Sequence, residues 1–173
     1  MDILFDSTAI QQRVAALARQ IAAEYSPSQP LFVGILNGAV QFMMDLIANL
    51  PTDLREKLQY DFVDISSYVG TKSGDQISMS KDLVIDIGDA DVLVIDGIVD
   101  TGKTLHYLLA HLSEKKPRSI KVCTLLDKTA KRQCQVPIDY CGFAVDDLFV
   151  VGYGMDCDQR YRALPYVAAL SQS

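Results

Sequence analysis

VLVIDGIVDTGKTLHYLLAHL, residues 92–112, is the stretch whose reading decides the fold. It opens with an apolar run of strand length, VLVID at 92–96. A loop with two glycines follows, GIVDTGKT at 97–104, and a helical pattern runs from about residue 103 to 114. SIKVCTLL at 119–126 reads as a further parallel strand. Upstream the same unit recurs: LFVGIL at 31–36 ends in Asn37-Gly38 and leads into an apolar helix through Phe42, Met43 and Leu46 to Asn49. Strands alternating with helices predict an α/β domain, a mainly parallel central sheet flanked by helices. In such sheets ligands gather outside the carboxyl ends of the strands. Asn37-Gly38, the 97–104 loop and Asp127-Lys128 all fall at such ends.

Working outward, Ile10, Val14, Leu17 and Ile21 predict an amphipathic helix over 8–24, with Thr8-x-x-Gln11 as a possible capping box. SPSQP at 26–30 breaks it. Leu58–Tyr68 has strand character, 69–80 (VGTKSGDQISMS) reads as a mobile loop, and strands are expected near 81–86 and 91–96. FVVGYGMDCDQRYR at 149–162 begins as a short strand and turns irregular, and YVAAL at 166–170 closes the chain as a strand. The 173 residues are expected to form one domain, 1–173, and 49% hydrophobic with 22% charged residues is ordinary for a globular chain. Sixteen Lys plus Arg against 22 Asp plus Glu give a net charge of -6, which argues against a protein that coats nucleic acid or an anionic membrane. No apolar run approaches the roughly 18 residues of a membrane span, and MDILFDSTAI lacks a basic segment leading an apolar one, so a cytoplasmic protein is expected. Cys123, Cys134, Cys141 and Cys157 have no CxxC spacing and read as reduced thiols. His106 and His111, five apart, have no ligand spacing.

Gly97-x-x-x-x-Gly102-Lys103-Thr104 formally matches the P-loop pattern, and Leu125-Leu126-Asp127 offers a metal-binding strand end to go with it. Against it, only 69 residues follow Thr104, and Asp96 and Asp100 put fixed negative charge where a triphosphate would be wrapped. The better reading is that Thr101, Gly102, Lys103 and Thr104 hold one phosphomonoester at a helix N-terminus. Asp96 then faces ribose hydroxyls or a Mg²⁺ shell, and Asp100 acts as a general base on the group joined to the sugar. The bland alternatives are a solvated strand end for Asp96 and a helix cap for Asp100.

At these residues the chain resembles the purine phosphoribosyltransferases of the hypoxanthine-guanine type. The likeness rests on VLVIDGIVDTGKTL at 92–105, VGILNGAVQFMMDL at 33–46, ISSYVGTKSGDQISMSKDL at 65–83, LLDK at 125–128 and DDLFVVGYGMDCDQRYRALPY at 146–166. It implies a type I phosphoribosyltransferase fold with a mobile loop and a small hood. It also implies purine salvage: a purine nitrogen displaces pyrophosphate from C1 of 5-phosphoribosyl-1-diphosphate, giving IMP or GMP, with Mg²⁺ as cofactor. By resemblance, Asp100 takes the proton from the purine and residues 101–104 hold the 5′-phosphate. Lys128 meets the 6-oxo group, Phe149 stacks on the base and the Val150 backbone reads its other edge. Asp156 sits by the purine and joins the metal shell with Asp96; Asn37, Gly38 and Arg162 hold pyrophosphate. The 69–80 lid, with Ser67 and Tyr68 at its base, excludes water. A homodimer or homotetramer is also implied.

Plainer roles stand beside these: a solvated basic turn for Lys128 with Lys131 and Arg132, a core position for Phe149, an edge-strand aromatic for Tyr68, and an ion pair of Arg162 with Asp156 or Asp158. Two departures matter. The family usually has two acids where this chain has Asp96-Gly97, and Lys before Gly where it has Asn37, whose place is often a non-proline cis peptide. Both predict weaker binding of the diphosphate sugar. A catalytically weakened relative that senses nucleotide is the alternative function, with the P-loop protein behind it.

Overall fold

The computed structural model describes residues 1–68 and 76–170. Two strand-helix units set the frame. Strand β1 (Asp2–Phe5) precedes helix α1 (Ser7–Tyr25), β2 (Pro30–Leu36) and α2 (Val40–Ala48). A short helix, α3 (Thr52–Arg55), leads to β3 (Gln59–Tyr68), and β4 (Gln76–Lys81) precedes β5 (Asp91–Val99) and α4 (Lys103–Glu114). Strands β6 (Ser119–Asp127), β7 (Tyr140–Ala144), β8 (Val150–Val151) and β9 (Val167–Ala169) follow.

The main sheet has the order β4-β3-β2-β5-β6-β7, parallel except for β4. Its central strands read as continuous apolar runs because both faces are covered. Phe32, Leu93, Ile95 and Cys123 point into one core with Ile10, Leu17, Phe42 and Leu46 of α1 and α2. Leu31, Val33, Val92, Val94 and Val122 point into the other with Leu105, Leu108 and Leu112 of α4. The chain builds to one side from β2 to β3 and to the other from β5 to β7. The reversal between β2 and β5 opens a crevice at their carboxyl ends, where Asn37 and Asp96 lie. A second antiparallel sheet, β1-β9-β8, forms the hood and carries Val150 in its outer strand.

Several expectations change. The cap of α1 is Asp6, whose carboxylate accepts from the Ala9 amide at 2.8 Å, and not Thr8. Residues 76–80, expected as loop, lie in β4 and pair with the end of β3; residues 69–75 of that loop lie outside the described residues. The strand expected near 81–86 is therefore this earlier one, and 82–86 is irregular. β3 is an inner strand, so Tyr68 is no edge-strand aromatic; the side chains of Ser67 and Tyr68 lie outside the described residues. Among the described residues no helix is long and apolar enough to cross a membrane, and all four cysteines are free.

Candidate active site

The β5–α4 connection forms the floor of the crevice. Gly102 takes φ +83, a left-handed conformation that glycine adopts without a Cβ penalty, and a Cβ there would stand 2.5 Å from the Cys134 carbonyl oxygen. The helix begins at once, His106 donating to the Gly102 carbonyl at 2.8 Å; Gly102 supplies no side-chain cap, and the Thr101 hydroxyl accepts from the Lys103 amide only at 3.4 Å. The Thr101 carbonyl accepts from the Gln133 and Cys134 amides at 2.8 and 3.0 Å, so the loop is fixed from behind. A cavity of about 320 Å³ opens over it, lined by Asp96, Asp100, Thr101, Gly102 and Thr104. Two carboxylates on that wall count against a wrapped triphosphate.

Asp100 also lines two adjoining cavities of about 450 and 530 Å³. Its Oδ2 accepts from the Lys128 ammonium at 3.2 Å, while Oδ1 is buried with no hydrogen-bond partner among the described residues. A carboxylate oxygen in that state is costly unless a donor arrives. Lys128 is 6% exposed, which excludes a solvated basic turn. Its backbone amide donates to Val99 at 2.9 Å, locking the end of β6 to β5 and aiming its side chain at the crevice.

Phe149, 47% exposed on the cavity wall, is not a core residue. Val150 follows it in β8. Because the Leu170 amide bonds the Phe149 carbonyl, ladder alternation turns the Val150 N–H and C=O away from β9, toward the open edge. Asn37 and Gly38 lie on the same wall, and the Leu36–Asn37 peptide bond is cis. Arg162 makes one of the ion pairs considered for it: Nη2 meets Asp156 Oδ1 at 2.8 Å, and Nη1 donates to the Gly154 carbonyl at 2.7 Å. Both side chains line the cavity that holds Asn37 and Lys128.

The missing second acid has a physical reason. A Cβ at Gly97 would lie 2.7 Å from the Gly38 carbonyl oxygen, so the backbone of the Asn37–Gly38 turn occupies the space of a side chain. Asp96 is left with a long bond from the Ile98 amide at 3.4 Å, and burial pushes its carboxyl up to about 7. A cation or ribose hydroxyls would relieve that burial. No group of three His, Cys, Asp or Glu is clustered for a metal among the described residues. Mg²⁺ keeps several waters and takes one or two carboxylates alongside substrate phosphates. Asp96 fits such a role well. Asp156 fits less well, since Arg162 and the Gln159 amide already hold its two oxygens.

Two residues of the site escaped sequence reasoning. Asp147 reaches Lys128 at 3.6 Å and Lys131 at 2.9 Å. Arg132 donates to the Asp100 carbonyl at 3.0 Å and pairs with Asp127 beneath the loop. The basic run after Lys128 and the acids at 146–147 were the available signal, but nothing in the sequence says that they meet.

Residues 1–158 match the family of the phosphoribosyl transferase domain. The chain is 41% identical over 172 residues to the hypoxanthine-guanine-xanthine phosphoribosyltransferase of Tritrichomonas foetus, covering 99% of this chain and 92% of that protein. It is 43% identical over 169 residues to the bifunctional protein TilS/HprT of Listeria innocua, covering 97% of this chain but only 26% of that longer protein. A crystal structure of a hypoxanthine-guanine phosphoribosyltransferase from Bacillus anthracis, with a HEPES molecule in its active site, superposes with a TM-score of 0.90 at 33% identity, covering 99% of both chains.

Proposed function

The chain belongs to the phosphoribosyltransferase family, and from that premise we propose that it transfers the 5-phosphoribosyl group of 5-phosphoribosyl-1-diphosphate to a 6-oxopurine, hypoxanthine or guanine, releasing pyrophosphate. The observation that carries this reading is Asp100, one oxygen on Lys128 and the other buried and unpartnered where three cavities meet.

In this reading the 5′-phosphate rests on the uncapped N-terminus of α4, held by residues 101–104. The purine lies against Phe149, its edge read by the Val150 backbone and its 6-oxo group by Lys128. An ammonium donor suits a carbonyl and is wasted on an exocyclic amine, which disfavours adenine. As the purine nitrogen bonds to C1 and the bond from C1 to the diphosphate oxygen breaks, Asp100 Oδ1 accepts the nitrogen's proton. Arg162 and the Asn37–Gly38 turn receive the departing pyrophosphate. Mg²⁺, when bound with the diphosphate, neutralises its charge, and Asp96, with Asp156 second, is the residue that would hold it. The lid role narrows from 69–80 to 69–75, because 76–80 belong to β4, and its base at Ser67 and Tyr68 follows Ile65 in the cavity wall. A cytoplasmic setting belongs to the same reading, because its phosphorylated substrate does not cross membranes unaided, and a homodimer or homotetramer is carried over from the resemblance to the family.

The test is nucleotide formation from Mg²⁺, the sugar diphosphate and each of hypoxanthine, guanine, xanthine and adenine, beside an Asp100→Asn control. Turnover of oxopurines but not adenine, abolished in the control, is expected. Nucleotide binding without turnover of any base would sink the catalytic reading and leave a sensor.

A further inference from the structure

Resting on that reading, we propose that Asp147 is a positioning residue for catalysis: with Lys131, it sets how tightly Lys128 clamps Asp100 before the purine enters.

The Lys128 ammonium has three donors to divide among Asp100, Asp147 and an entering purine. One of them is committed to Asp100 Oδ2 at 3.2 Å. Asp147 Oδ1 lies 3.6 Å from the same ammonium and competes with Asp100 for it. Lys131 bonds that same Oδ1 at 2.9 Å and tempers the pull. One cavity wall brings together Asp100, Lys128, Lys131, Asp147 and Phe149, so the contest is settled where the base stacks. A 6-oxo group that engages Lys128 then completes what Asp147 begins: it draws the ammonium from Asp100 and frees Oδ2 as the purine proton must go. Recognition of the oxopurine and activation of the base become one event. Asp100 shares its cavities with Lys128 and Lys131 from the segment after β6, Asp147 from the segment before β8, Asp2 of β1 and Asp96 of β5, while Arg132 holds its backbone carbonyl. Among these, Asp147 and Lys131 are two whose side chains are 41% and 55% exposed, so both can be replaced without disturbing the core.

Steady-state kinetics across pH, with hypoxanthine varied at saturating sugar diphosphate and Mg²⁺, test this in wild type, Asp147→Asn, Lys131→Met and Asp147→Glu. In Asp147→Asn, kcat is expected to fall about tenfold and the acid limb of kcat/KM to move to lower pH, with KM for the sugar diphosphate within about twofold of wild type. Lys131→Met releases Asp147 toward Lys128 and moves the limb to higher pH. Asp147→Glu restores kcat to within about threefold. Limb shifts of the same sign in the two neutralising variants, or an unmoved limb in Asp147→Asn, would overturn the proposal while wild-type turnover still upholds the reading beneath it. Failure of the wild type to turn over any oxopurine overturns both, which tells the two failures apart.

Discussion

Helices α1 and α4 begin differently. At α1 the exposed Asp6 donates nothing to a ligand site; its carboxylate accepts from the Ala9 amide at 2.8 Å and closes the helix on itself. At α4 the residue in the same position is Gly102, left-handed and without a side chain, and the first turn faces a cavity. Both helices need the unpaired amides of their first turn satisfied. One does it with its own acid, while the other has only the Thr101 hydroxyl, 3.4 Å from the Lys103 amide. Three further acids repeat the contrast: Asp61 is saturated by Lys81 and the Val84 amide, whereas Asp96 and Asp100 at the crevice are not. At the crevice these acids are left with polar atoms that a ligand could engage.

Giving α4 the end that α1 has breaks this comparison most severely. Gly102→Asp places an anionic cap where the phosphate is proposed to bind, in a conformation that disfavours side chains and against the Cys134 carbonyl. A loss of at least about 100-fold in kcat/KM, roughly 2.7 kcal/mol of transition-state stabilisation, is expected in the nucleotide-formation assay. Activity within tenfold of wild type would mean that the uncapped end is not the phosphate seat.

A 6-oxopurine nucleoside 5′-monophosphate sharpens the comparison without mutating the site. At about 100 times its dissociation constant it should stabilise the fold by about 2.7 kcal/mol, raising Tm by roughly 5–10 °C. Calorimetry of Gly102→Asp should show no such rise. A full rise in that variant would place the nucleotide elsewhere.

Asp96 supplies a smaller effect whose sign follows from its carboxyl being held at about 7, above its ordinary value of 3.8. The folded state keeps a proton that the unfolded state releases, so this contribution to stability is complete below about pH 4 and lost as pH rises through about 7. Asp96→Asn removes the loss. Denaturant unfolding should show the variant gaining on wild type between pH 5 and 8, by on the order of 2 kcal/mol. A constant difference across that range would show that Asp96 is ionised throughout.

The same contrast explains what the sequence could show. The β2–α2 and β5–α4 units were legible because a change of period marks each boundary, and the candidate site residues at their ends came with them. Strand β4 was hidden because QISMSK has only Ile77 and Met79 as alternating apolar residues beside a glycine-containing polar run. The four residues of β1 and the five of β7 are too short to carry a period. Residues 152–161 were illegible for another reason: Tyr153, Asp158, Gln159 and Tyr161 all adopt positive φ, which no local propensity dictates. Gly97 reads as a lost acid in the sequence, whereas the Gly38 carbonyl fills that place in the fold, and Asp147 meets Lys128 only through the tertiary structure, 19 residues apart in the chain.

The capping contrast has its mildest consequence at α1. Asp6→Ala removes the acceptor for the Ala9 amide, and because the site is exposed, water replaces it at a net cost of about 1 kcal/mol. Tm should fall by roughly 2–4 °C. Asp6 is exposed and lines none of the three cavities that meet at Asp100, so kcat, both KM values and the stabilisation by nucleotide should stay at their wild-type levels. A variant that lost activity in proportion to its stability would tie the two helix ends together through the sheet between them. One that lost only stability would leave them independent, as a self-contained cap and an open one should be.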